Sequence, residues 1–149
     1  MRRFALTVLP LALAACSAAI KPNGSVAVRQ MHVQDEWKAS LVGTGTAAGM
    51  KGDAHAVTDG TKSEVTLNLQ GATPGHAYPW HVHAGTCGSG GAVVGPASAY
   101  PYANIGSDGK ATATAHLNFP LSKQGSYYVN VHASSRNMAL IVACAPLQS

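Results

Sequence analysis

The sequence predicts an all-β domain, a sandwich or barrel of about eight short strands. Three observations carry that expectation. Apolar and polar residues alternate over short runs, turns bearing Gly and Pro separate those runs at regular spacing, and no segment sustains a helical period. Composition points the same way. Of 149 residues, which fits one domain, only 11% are charged and 6% aromatic. The core must therefore be assembled from small and β-branched side chains, which suits a thin sandwich better than a helical bundle.

The chain opens on a segment read as outside the domain. Arg2 and Arg3 precede an apolar run from Phe4 to Ala15, broken only by Pro10. That run is too short to span a bilayer and reads as a secretory signal over residues 1–15. It ends in Leu13-Ala14-Ala15-Cys16, which looks like a bacterial lipobox with Cys16 as the lipidated new N-terminus. Residues 16–24 then read as a tether and 25–149 as the domain. These features place the protein in the periplasm, anchored to a membrane through lipid, with the outer membrane favoured.

Within the domain, strands are expected near 25–31, 37–43, 53–57, 64–70, 79–84, 110–117, 126–132 and 138–144. The clearest runs from Glu64 to Gln70, with Val65, Leu67 and Leu69 on one face. Thr73-Pro74-Gly75 and Ser107-Asp108-Gly109 mark turns, because Pro presets φ and Gly accepts a positive one. In Trp80-His81-Val82-His83 the apolar pair faces the core while His81 and His83 point outward, about 6.5 to 7 Å apart at Cα. In Tyr127–His132, the set Tyr127, Val129 and Val131 alternates with Tyr128, Asn130 and His132.

Loss of Arg2 and Arg3 with the signal lowers the formal charge from +4 to +2. No Lys/Arg cluster exists in the mature chain, so nucleic acid is not an expected partner. Three cysteines leave one odd thiol in an exported protein. With Cys16 lipidated, Cys87 and Cys144 remain as an even pair suited to a bridge, the alternative being two buried thiols.

A lone His-x-His pair is a weak metal signal, since histidine often fills half-exposed strand positions. His132 at the matched position of a second strand, the cysteine pair and the export signal strengthen it. Three neutral imidazoles, His81, His83 and His132, with an open coordination position suit copper or zinc. His32, His55 and His116 are isolated and read as solvated. Met138 offers a soft thioether for copper(I), but is read as a core side chain of its strand. Tyr100 and Tyr102, flanking Pro101, read as covering the rim of the site.

Residues Gly71-Ala72-Thr73-Pro74-Gly75-His76, followed by Trp80-His81-Val82-His83, resemble the loop and strand of copper/zinc superoxide dismutases. Val131-His132 looks like that family's last copper ligand, and Val142-Ala143-Cys144 resembles its final strand with the second disulfide cysteine. The likeness spans roughly residues 37–149, with only these short segments specific. It implies a Greek-key, immunoglobulin-like β-sandwich with copper outside the barrel, and a Cys87–Cys144 bridge pinning the loop after His83.

The departures are equally informative. Residues 88–109 hold no histidine and one acid, Asp108, so the family's bridging histidine and zinc ligands have no counterpart and no structural zinc is expected. Where the family keeps an arginine before the final cysteine, this chain has Leu140-Ile141-Val142. Arg136, in a shortened loop after His132, is the candidate substitute. His76 matches the family's structural histidine loosely, because Ala77-Tyr78-Pro79-Trp80 lengthens the gap. It reads as a loop hydrogen-bonder rather than a fourth ligand. A cupin would need a ligand glutamate that residues 84–90 do not hold, a carbonic anhydrase is longer, and a cupredoxin needs His and Met after its cysteine, which Cys144 lacks. The expected function is copper binding in the periplasm, with at most weak dismutation of superoxide. Non-enzymatic copper buffering or delivery, or a metal-free interaction domain, is the alternative.

Overall fold

The alternation read from the sequence becomes two facing antiparallel sheets in the computed structural model, which describes residues 32–149. The signal (1–15), Cys16, the tether and the strand expected at 25–31 lie outside the described residues. The first sheet has the order β1-β2-β3-β7, formed by β1 (Asp35–Val42), β2 (Lys51–Thr58), β3 (Ser63–Gln70) and β7 (Ala111–Leu117). The second has the order β5-β8-β9, formed by β5 (Trp80–Ala84), β8 (Tyr127–Ser134) and β9 (Asn137–Leu147). A small pair, β4 (Ala77–Tyr78) and β6 (Ala103–Asn104), lies beside them. All pairings between these strands are antiparallel. The only helical segments among the described residues are 3-10 turns at Gly45–Ala47 and Ala97–Ala99.

The inner faces explain how a chain so poor in aromatic side chains makes a core. In the first sheet, Ala39, Ala54, Ala56, Ala113 and Ala115 point inward with Val65 and Leu67. These short side chains leave room for Trp37 and Trp80, both fully buried in the same cluster. One side of the sandwich is closed by β1 against the end of β9. Lys38 and Gln148 exchange both backbone bonds, and Thr44 N–H donates to the Val142 carbonyl. Cys87 and Cys144 are joined in a disulfide with Cα atoms 6.0 Å apart, as the resemblance implied.

Seven of the expected strands match β1, β2, β3, β5, β7, β8 and β9, with no end shifted by more than three residues. Two residues are too few to show a period, which is why β4 and β6 leave no trace in the pattern. One reading is corrected. Met138 is not a core side chain: it is 36% exposed, because residues 137–140 at the start of β9 project beyond the sandwich interior.

Candidate metal centre

β8 is the middle strand of the second sheet, and its residues from Tyr128 to His132 are all buried. Val129 and Val131 fill the sandwich core, while Tyr128, Asn130 and His132 face the other way. That outer face is covered by the loop after β5. Residues 92–94 run back along the edge of β5, with Ala84 N–H donating to Ala92 and Val94 N–H to Val82. The disulfide ties this loop to β9. A surface that alternation alone would leave open to water thus becomes a second, polar interior, with His81 8% and His132 5% exposed.

The register of β8 against β9 shifts on either side of His132. A bulge of this kind re-aims the side chain of the bulged residue. The strand end is also clamped. His132 N–H donates to the Pro79 carbonyl, and His76 Nε2–H donates to the Ala133 carbonyl at 2.8 Å.

His81, His83 and His132 come together with one ring nitrogen from each lying within 4.8 Å of the others. This group could hold a metal ion. The nitrogen that each ring presents follows from its other bond. His83 Nδ1–H donates to the Gly91 carbonyl at 2.8 Å, which leaves Nε2 bare. That Nε2 is buried and has no hydrogen-bond partner among the described residues. His132 Nδ1–H donates to the Met138 carbonyl at 2.6 Å, again leaving Nε2 free. His81 offers Nδ1, 3.2 Å from His132 Nε2. The rings meet at steep angles, 78° between His81 and His83 and 61° between His81 and His132, so their edges rather than their faces converge.

Electrostatics keeps His81 and His132 uncharged. Burial, reinforced by the neighbouring His132 and His83, pushes the His81 imidazole down to about 4. Burial also lowers His132, against the upward pull of its bond to the Met138 carbonyl. Neutral imidazole is the form that ligates metal. An orphaned, buried ring nitrogen beside two neutral imidazoles therefore fits a bound metal ion.

Two aromatic residues set the rings in place. Tyr128 stacks on His83 with centroids 5.1 Å apart and 19° between planes. Its hydroxyl oxygen accepts from Gly91 N–H, and the carbonyl of that same glycine holds His83. Tyr100 meets His81 edge-on at 5.4 Å and Trp80 at 5.2 Å, and donates its hydroxyl to the Val94 carbonyl. Burial pushes its phenol up to about 12, so it remains a neutral donor. Tyr102 is 47% exposed and makes no such contact.

The remaining candidates stay apart from the group. His76 is stacked at a tilt on Tyr78 and acts as the loop hydrogen-bonder expected. His55 pairs with Glu36 and His116 with Glu64 at the surface, and His32 is exposed. Arg136 is exposed in the turn between β8 and β9. It does not line the open cleft of about 580 Å³ that leads from His83 and His132 past Asn130 to Met138 and Ile141. The sequence reading missed the parts played by Tyr128 and Gly91. Tyr128 carried a legible signal, since it shares the outward face of β8 with His132. The carbonyls of Gly91 and Met138 carried none, because any residue has one.

Comparison with protein-family models and with curated proteins returns no match for this chain.

Proposed function

We propose that this chain is an exported copper-binding protein, similar to copper/zinc superoxide dismutases, that holds one copper ion through His81, His83 and His132 and dismutes superoxide slowly. The observation that carries this reading is the buried, partnerless Nε2 of His83 beside two further neutral imidazoles. Three nitrogen donors suit copper or zinc alike. The likeness of Trp80–His83 and Val131-His132 to the dismutase copper strands favours copper. The Greek-key ordering, the lipid on Cys16 and the periplasmic location belong to the same proposal.

Bound copper would supply one-electron exchange: one superoxide gives up an electron and leaves as dioxygen, and a second takes that electron with two protons and leaves as hydrogen peroxide. The protein's own residues prepare for this. The Gly91 and Met138 carbonyls fix two ring tautomers, Tyr128 and Tyr100 hold the rings by packing, and the cleft admits a small anion. Among the described residues no Lys or Arg lines that cleft, so none of them supplies a local positive charge to draw superoxide inward. Slow turnover follows. The same uncharged cleft favours copper holding or delivery as the second reading.

Metal analysis of protein recovered from the exported compartment tests the proposal, followed by a dismutase assay on the copper-loaded form. About one copper per chain, lost in His81→Ala and His132→Ala, is the expected result. Copper retained by the double variant would overturn the site. Copper bound without turnover would select the holding role.

A further inference from the structure

Met138 stands out once the core reading of it is withdrawn. The residue is 36% exposed and lines the same cleft as His83 and His132. The imidazoles of His81 and His132 are nearly sealed from solvent and His83 is half-buried, so Met138 is the most exposed of the four. Its backbone is anchored, since its carbonyl accepts the Nδ1–H of His132 at 2.6 Å. The side chain therefore starts from a fixed point beside one ligand and has three rotatable bonds with which to reach the site. The other sulfur lining the cleft belongs to Cys144 and is locked in the disulfide. Among the described residues no carboxylate lines the cleft, so its walls offer no hard oxygen donor of that kind.

From this we propose that Met138 is a thioether donor for copper(I), joining the three histidines when the ion is in its reduced state and selecting it over zinc. The inference rests on the copper reading of the histidine group. Thioether sulfur and imidazole nitrogen together suit copper(I), whereas zinc draws little from a thioether. An exposed donor in front of buried ones also gives an incoming ion a first point of capture. The dismutase resemblance supplies no counterpart for this residue.

The test compares the full chain with its Met138→Leu variant, which nearly conserves volume and leaves the backbone carbonyl on His132 available. Copper(I) affinity is measured by competition with a chromogenic copper(I) chelator without oxygen, and copper(II) and zinc affinities are measured in parallel. X-ray absorption of the copper(I) form reads the donors directly. The expected result is a copper(I) affinity lower by on the order of tenfold, with zinc nearly unchanged. A sulfur neighbour of copper should be present in the native chain and absent in the variant. A native spectrum with nitrogen donors alone would overturn the proposal while leaving the histidine site intact. Equal weakening of all three ions would also overturn it, by showing that Met138 acts only through its hold on His132. A native chain that binds no copper would remove the reading on which the inference rests, and the inference with it.

Discussion

His81 and His132 meet across two strands, with Nδ1 of one 3.2 Å from Nε2 of the other. The Met138 carbonyl already takes the Nδ1 proton of His132. Without a metal, the contact is therefore satisfied only if His81 donates its own Nδ1 proton to His132. With a metal, both nitrogens turn their lone pairs to the ion. One proton decides between the two arrangements, and the burial of both rings resists adding a second.

That resistance gives the metal-free protein a definite response to acid. An unfolded histidine titrates near 6.5, whereas folded His81 titrates at about 4. Between those values the unfolded chain binds more protons, so stability falls as pH drops through that window and levels off above it. His132, lowered by its burial, adds to the same fall, and the exposed Glu36 and Asp59, held down by their hydrogen bonds to His55 and to Thr61, add to it only at the acid end. Urea unfolding of metal-free protein should show a midpoint that declines from pH 7 to pH 4.5. In His81→Asn the decline should be much shallower. A slope that His81→Asn leaves unchanged would place the titrating group elsewhere.

The disulfide should matter to both stability and metal. It closes 57 residues of chain, worth about 4 kcal/mol in loop-closure entropy. Joint replacement of Cys87 and Cys144 by Ser should lower stability by roughly 2–5 kcal/mol. The freed loop carries Gly91, so the hold on His83 should loosen and metal affinity should fall as well. Denaturant unfolding and metal competition on the same sample check both effects. Stability lost without any change in affinity would show that the loop keeps its place unaided.

The sandwich was legible because its strands are half-buried and announce themselves by alternation. Val65, Leu67 and Leu69 are buried as their spacing requires. The three histidines were legible for the same reason, as outward positions on strands with apolar feet. Their burial was not. It depends on the loop after β5 folding back over Tyr128 and His132, a long-range event that no local period encodes. Met138 misled because a methionine in an apolar strand normally packs inward, and only the projection of β9 past the core exposes it. Arg136 sat close in sequence to the ligands, yet the tight β8–β9 turn leaves it exposed and outside the cleft.

The anchor proposed at Cys16 can be tested apart from the fold. The Leu13-Ala14-Ala15-Cys16 boundary should direct fatty-acid incorporation on that residue in bacterial cells. Several acyl chains on one residue hold a protein stably at a membrane. Cys16→Ser should therefore abolish labelling and move the protein from the membrane fraction to the soluble periplasmic one. An equally membrane-bound variant would sink the idea.

Gly91 offers the sharpest test of how the site is held. Its N–H donates to the Tyr128 hydroxyl and its carbonyl accepts from His83, so one peptide unit on either side of its Cα serves both residues. A Cβ placed there would fall 1.7 Å from the Ala84 carbonyl oxygen, which is a backbone atom unable to swing aside. Gly91→Ala must therefore push the loop off the edge of β5 and take the carbonyl with it. Nδ1 of His83 then loses its acceptor, and the ring is free to change tautomer and turn away. The variant should bind metal more weakly by about 10–100-fold, the range seen when an outer-shell partner of a ligand is lost. Tyr128→Phe removes only the hydroxyl and keeps the stacked ring, so its effect should be the smaller of the two. Metal competition on both variants gives the ranking. Wild-type affinity in Gly91→Ala would mean that His83 needs no anchor at Nδ1, and that stacking on Tyr128 alone aims its Nε2.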